Sequence, residues 1–204
     1  MEIYDYINKL GNNDGELFFV EVGVHHGTDS EKMIGMFPGR VRWMGFEPDP
    51  RNVVVLRGKG LGVIEAAVSD TEGEAELWLS GGMTPGHKNR HHTDSSSLQK
   101  PTHHLRVHPW CKFEERVIVK TVRLDDTVPA IPVDLMWVDV QGAQKKVIAG
   151  AMETLKRTRW LYIECHHTPM YEDEPTFGEL CKLLPGFRVV ERWPSEVLFV
   201  NSDN

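Results

Sequence analysis

The stretch 17–27 constrains this chain more than any other. Leu17-Phe18-Phe19-Val20 runs almost without polarity into Glu21, Gly23 and Gly27. A short apolar run of this kind predicts a buried strand, and the acid and glycines at its end predict a ligand-binding turn. Glycine lets backbone approach a bulky ligand without a Cβ in the way. Glu21, two residues before Gly23, can receive a positive group, and an ammonium would suit it. Residues 28–37 open with cap-capable Thr28, Asp29 and Ser30 and set Met33, Ile34 and Phe37 on one face, which predicts a helix. Strand, glycine turn and helix together form a nucleotide cradle, although Gly-x-x-x-Gly also occurs where a strand and a helix merely pack closely.

A second strand, 41–46, ends at Glu47 and is followed by Pro48-Asp49-Pro50. An acid about 20 residues beyond a glycine turn can take the two ribose hydroxyls of a nucleoside. Asp49 and Pro50 then make a cap and first-turn pair for a short helix over 53–56 that stops near Gly58. A third strand is expected at 63–68, where the small residues Ala66 and Ala67 leave room beside Val68 for a flat adenine ring. Strands separated by helical connections predict a parallel sheet, whose ligands sit beyond the carboxyl ends of the strands.

The remaining chain repeats this design. Residues 2–10 read as an amphipathic helix through Ile3, Tyr6, Ile7 and Leu10, and 11–15 as a turn. Alternation of Ala75, Leu77 and Leu79 predicts a strand over 74–80, and a second extra strand is expected at 116–124. Between them, 81–115 is rich in Gly, Pro, Ser and His and too long for a simple connection, so it is expected to form a lid or substrate loop. It holds His87, His91, His92, His103, His104 and His108, whose spacing matches no zinc motif, and its Ser95-Ser96-Ser97 run offers hydroxyls to a ligand or forms a plain turn. The apolar run 133–138 leads to Asp139, then Gly142 and a helix bearing Val147, Ile148, Ala151 and Leu155. Strand 160–163 ends in Glu164-Cys165-His166-His167, a helix at 179–184 is closed by Pro185-Gly186, and 187–193 with 197–200 form an antiparallel pair. Asp139 and Glu164 thus fall at neighbouring strand mouths with His166 close behind, a set able to orient a hydroxyl and accept its proton.

The 204 residues fit one domain, and the formal charge of -7 argues against a nucleic acid gripped through its phosphates. Three scattered cysteines, Cys111, Cys165 and Cys181, suit a reducing interior. No apolar run approaches the ~20 residues a bilayer span needs, so a soluble cytoplasmic protein is expected. Oligomeric state is not readable.

The ordered set Val20-Glu21-Val22-Gly23 through Gly27, Phe46-Glu47-Pro48, Ala67-Val68-Ser69-Asp70, Leu124-Asp125-Asp126 and Val138-Asp139-Val140-Gln141-Gly142-Ala143, then Gly150 and Ile163-Glu164, resembles the FkbM family of class I S-adenosylmethionine-dependent methyltransferases. The likeness covers most of residues 17–200. It implies an α/β, Rossmann-like, seven-stranded and mostly parallel sheet with an antiparallel C-terminal strand, helices on both faces, and a long loop inserted between two extra strands.

It further implies that Glu21, Gly23 and Gly27 hold the methionine end of the cofactor and Glu47 its ribose; His25, inside the same turn, is expected as a further cofactor contact. Ala66, Ala67 and Val68 would border adenine, Ser97 would add a hydroxyl, and Asp139 would lie near the transferred methyl. The family usually has Asn at His25, Lys at Trp137 and Glu at Gln141 and Gln144, so no base or ligand role of those glutamates carries over.

The expected reaction is methyl transfer to a hydroxyl of a sugar, glycan or other small molecule. His166 is the first choice of base because imidazole titrates nearest neutrality, with Asp139 or Glu164 orienting it. A divalent ion held by Asp139, Glu164 and a histidine is the minority mechanism. A nicotinamide-dependent oxidoreductase would share the strand, turn and acid but calls for Gly-x-Gly-x-x-Gly, and His25 stands at the middle glycine. A nucleoside-binding module without chemistry is the other alternative.

Overall fold

The computed structural model describes residues 1–11, 15–83, 85 and 92–202. Most of the 11–15 turn, with His87 and His91, therefore lies outside the described residues. In chain order the elements are α1 (Ile3–Leu10), β1 (Leu17–Val22), α2 (Thr28–Met36), β2 (Val41–Phe46), α3 (Pro50–Gly58), β3 (Ala67–Val68), β4 (Gly73–Gly81), α4 (His104–Val107), β5 (Lys112–Val122), α5 (Leu124–Thr127), β6 (Val133–Val138), α6 (Gln144–Ala149), α7 (Met152–Lys156), β7 (Thr158–Glu164), α8 (Phe177–Leu183), β8 (Phe187–Arg192) and β9 (Glu196–Asn201).

The main sheet has the order β2-β1-β6-β7-β9-β8. Its first four strands are mutually parallel, and β9 runs antiparallel to both β7 and β8. This is the expected mixed α/β architecture. Both faces of β1 are covered: Phe18, Val20 and Val22 join the core that includes Val147 and Ile148 of α6, and Leu17 and Phe19 join the core under α1 and α2. Burial on two sides is why β1 is spelled as a continuous apolar run rather than an alternating one.

The sheet differs from expectation at its third strand. Residues 63–68 do not form a seventh strand; Ile64 makes a single parallel bridge to Phe46, and Ala67–Val68 pairs instead with β5. Together β3, β5 and β4 form a separate three-stranded sheet. The extra pair takes the hydrogen bonds of Ala67 and Val68 away from the main sheet. β5 is also longer at its start and shorter at its end than the 116–124 expectation, because Leu124 begins α5.

Two helix expectations are likewise revised. The helix after β1 is capped by Gly27 in the left-handed region, with no side-chain cap, and Ser30 turns inward to Glu21. The single helix expected after Asp139 is two, because a Cβ on Gly150 would lie 2.0 Å from the Ser69 carbonyl oxygen and the chain bends to make that approach. Asp49 caps α3 as predicted, its side chain accepting the Arg51 N–H at 2.9 Å with Pro50 in the first turn. Among the described residues no helix is long and apolar enough to cross a membrane.

Candidate active site

Gly23 is where the site begins. It ends β1 with φ 87°, and a Cβ there would stand 1.7 Å from the carbonyl oxygen of Asp139. Only glycine lets the ends of β1 and β6 come this close, and the Asp139 N–H donates to the Val22 carbonyl at 2.9 Å across the junction. A slot opens above it at the carboxyl ends of the strands. Gly23, His25, Glu47, Ala66, Ala67 and Val68 all line it, and so do Ser97 and Asp139.

Glu47 is buried on the slot wall. Its Oε2 accepts the His25 N–H at 2.7 Å, and its Oε1 accepts from the Asp49 N–H at 2.9 Å and Asn52 Nδ2 at 3.2 Å. Burial pushes its carboxyl up to about 7, against the pull of those three donors. His25 holds φ 53° and directs its ring Nε2 toward Thr93 Oγ1 at 2.9 Å and Asp94 Oδ1 at 3.0 Å. The long loop thereby closes one side of the slot. Ser96 also ties it to α3, donating to Asp49 Oδ2 at 2.8 Å.

Two of the anticipated cofactor contacts lie elsewhere. Glu21 lines neither this slot nor the second cavity described below. It pairs in register with Trp137 and so faces α2, where its Oε2 accepts Ser30 Oγ at 2.6 Å and Trp43 Nε1 at 2.8 Å. Gly27 is also off the slot; its missing side chain makes room for Leu61 and Leu56, whose methyl carbons would lie 2.5 and 2.8 Å from a Cβ. Both residues place the first turn of α2 rather than touch the slot.

Asn52 is a slot residue that sequence reasoning missed. Its Nδ2 is spent on Glu47, and its Oδ1 is buried with no partner among the described residues. An orphaned buried acceptor on a ligand wall calls for a donor from the ligand, and a ribose hydroxyl supplies one. Its signal was legible in principle, three residues after the Asp49 cap on the inner face of α3. The cradle at Gly23, the small residues 66–67 and the paired Glu47 and Asn52 together fit an adenosyl group.

Beyond Asp139 lies the polar centre. Gln141 stands at φ 52°, a left-handed conformation that costs a non-glycine residue roughly 1–2 kcal/mol. Its side chain explains why it is held there. Nε2 donates to Asp139 Oδ1 at 2.7 Å and to Glu164 Oε1 at 2.9 Å, and Oε1 accepts the Tyr171 hydroxyl at 2.9 Å. Ser97 Oγ adds a 2.5 Å bond to the Gln141 carbonyl. Gln144 completes the frame, its Nε2 reaching the Glu164 carbonyl at 3.2 Å.

Burial raises the Glu164 carboxyl well above the usual range, and repulsion from Asp139 and then Glu174 adds to it. Asp139 is also raised by burial, although Gln141 lowers it. It retains solvent access because it lines both cavities. The amide N–H groups of Gln141 fill the space between the two carboxylates, and donors cannot coordinate a cation. The anticipated metal triad therefore does not fit the residues present. Among the described residues no cluster of His, Cys, Asp or Glu is arranged to hold a metal ion.

His166 stands behind Glu164, not on the wall of either cavity. Its Nε2 is 3.5 Å from Glu164 Oε1, and its Nδ1 is 2.7 Å from Glu174 Oε1. Glu174 was not anticipated. It is buried and also accepts the N–H groups of Met170 and Tyr171, so it folds the 165–176 segment around His166. Within the long loop, His92 and His104 both approach Ser95 Oγ, at 2.8 and 3.1 Å, and serve as its internal packing.

The comparisons with known proteins agree with this geometry. Residues 21–190 match the family model described as the methyltransferase FkbM domain. The chain is 32% identical over 187 residues to the 2-O-methyltransferase NoeI of Sinorhizobium fredii, covering 87% of this chain and 75% of that protein. The crystal structure of an FkbM methyltransferase from Methylobacillus flagellatus aligns with a TM-score of 0.58 at 15% identity over 92% of this chain, which spans only 44% of that longer protein. A putative rRNA-methylase from Clostridium thermocellum aligns at 0.53 and 10% identity, covering 98% of this chain and 92% of its own. At these identities the structural likenesses speak for the fold alone, and the sequence match removes the nicotinamide alternative. The chain belongs to the FkbM family of methyltransferases, which use S-adenosylmethionine.

Proposed function

We propose that this chain transfers a methyl group to a hydroxyl oxygen of a sugar, glycan or similarly small acceptor, with Glu164 as the proton acceptor. The observation that carries this reading is the Asp139–Gln141–Glu164 bridge standing where the cofactor slot meets a second cavity. The name of the relative NoeI, a 2-O-methyltransferase, supports oxygen as the methylated atom. Bound S-adenosylmethionine supplies a methyl carbon that is already electrophilic. What is left for the protein is alignment and removal of one proton.

The residues divide this work. Glu47 and Asn52 take the ribose, Ala66, Ala67 and Val68 flank adenine, and Gly23 admits the methionine portion. Ser97 holds the Gln141 turn. Asp139 orients the acceptor hydroxyl, and Glu164, made more basic by burial, takes its proton. His166 backs Glu164 and steadies it from behind, with its own ring fixed by Glu174. This shifts the base from the imidazole to the carboxylate, because only the carboxylate reaches a cavity wall.

The test is a methyl-transfer assay with isotopically labelled cofactor across a panel of sugars and small hydroxyl compounds. Label recovered as an O-methyl ether is the expected result; label recovered only on nitrogen or carbon would overturn the reading. For the slot, Asn52→Ala should weaken S-adenosylhomocysteine binding about tenfold by calorimetry, the loss of one buried hydrogen bond. Unchanged affinity would remove Asn52 from the ribose contact.

A further inference from the structure

On the other side of Asp139 from the cofactor slot lies a cavity of about 270 Å³ between α1, α2 and the ends of β6, β7 and β9. Two aromatic residues, Trp137 and Tyr162, form its floor; they are register partners on adjacent strands with ring centroids 4.3 Å apart. One step along the same strand faces come Asp139 and Glu164, and Glu196 pairs in register with Glu164 from β9. Tyr4 of α1 and Asp29 of α2, joined by a hydrogen bond from the tyrosine hydroxyl, close the far side. Among the described residues no Lys, Arg or His lines this cavity.

The hydrogen-bonding inventory of the walls is mixed. The carboxylates of Asp139, Glu164 and Glu196 can only accept when ionised. Trp137 and Tyr162 are each about nine-tenths buried, and neither the indole N–H nor the phenol O–H has a hydrogen-bond partner among the described residues. Neither atom is among the buried ones left unpaired, so both polar atoms remain accessible, and a ligand in the cavity can offer them acceptors in place of water. An ammonium group would answer the carboxylates but has no acceptor for the indole. An anion would answer the donors but meet four carboxylates, Asp29 among them. A ring carrying several hydroxyls both donates and accepts, and it lays C–H faces on aromatic rings.

We infer that this second cavity is the acceptor site and that it takes an uncharged polyhydroxyl ring, with Trp137 and Tyr162 beneath it and Glu196 facing it across from Glu164. The inference rests on the O-methyltransferase reading, since it supplies the hydroxyl that Glu164 deprotonates. Its content is a selectivity: neutral sugars bind, and sugars bearing a carboxylate or an ammonium bind worse.

The experiment uses the full chain saturated with S-adenosylhomocysteine and saturation-transfer NMR with methyl glycosides of neutral hexoses and deoxyhexoses. The matching uronates and 2-amino sugars are run alongside. Saturation transfer to at least one neutral glycoside is expected, with weaker transfer to its uronate and amino counterparts. Tyr162→Phe and Glu196→Gln should each lower neutral-glycoside affinity about tenfold, the scale of one lost hydrogen bond in a closed site. S-adenosylhomocysteine affinity should stay within twofold of the parent, which reports that the variants are folded. Preference for the uronate or the amino sugar, no binding of any neutral glycoside, or unchanged affinity in both variants would overturn the inference. Loss of S-adenosylhomocysteine binding by the parent chain would instead strike the methyltransferase reading, so the two failures are distinguishable.

Discussion

Glu164→Gln should lower kcat by about 10²–10⁴-fold, the usual contribution of a positioned general base. The substitution keeps volume and leaves Gln144 its contact with the Glu164 backbone carbonyl, so cofactor affinity should hold. The pH profile carries a second, independent signature. Burial and the neighbouring Asp139 raise the Glu164 carboxyl, and only its deprotonated form can take a proton. Activity should therefore rise with pH through a limb lying above the ordinary carboxylate range, and that limb should vanish in Glu164→Gln. His166→Ala serves as the comparison. Because His166 lines neither of the two cavities described, it should cost less than Glu164→Gln and leave the limb in place. A larger loss in His166→Ala than in Glu164→Gln would return the base to the imidazole.

Gly23→Ala should lose both stability and cofactor binding. Its φ of 87° lies where an L-residue pays roughly 1–2 kcal/mol, and the added Cβ would meet the Asp139 carbonyl oxygen at 1.7 Å. That oxygen is backbone, fixed by the strand junction, and cannot rotate away. A loss of about 3 kcal/mol or more is expected, which for a chain of this size lowers Tm by roughly 6–12 °C. Gly39→Ala isolates the first contribution. Gly39 has φ 72° with nothing within 4 Å of the added Cβ, so it pays for conformation alone. Equal melting losses in the two variants, by calorimetry, would show that the strand junction tolerates the methyl.

Much of the frame could be read directly. The apolar run into Glu21 and Gly23, the Asp49–Pro50 cap, and the acids closing β2, β6 and β7 are local signals, and each stands as expected. The α8 cap was missed, although Thr176 and Glu179 form a reciprocal capping box that begins the helix two residues ahead of 179. Here the signal was present and unread.

Other features had no local signal. Residues 63–68 spell a strand equally well for the main sheet or for β5, and only the competition between the two decided their partner. Glu21 reads as a ligand for a positive group, yet Trp43 on the neighbouring strand and Ser30 on the following helix claim its carboxylate first. Glu174 sits in a run of acids and is distinguished only because the 165–176 segment wraps back to His166.

Sequence by itself determined most of the elements, the glycine turn after β1 and the acids at the sheet's open rim, because periodicity, capping and backbone freedom are properties of neighbouring residues. Tertiary structure alone decided which acids face a cavity and which are taken up inside the fold. It also set Gln141 between Asp139 and Glu164, and laid Trp137 beside Tyr162 as the floor of a second cavity. Those outcomes depend on strand register and on which side chain reaches a donor first, and neither is written in the order of residues along one strand.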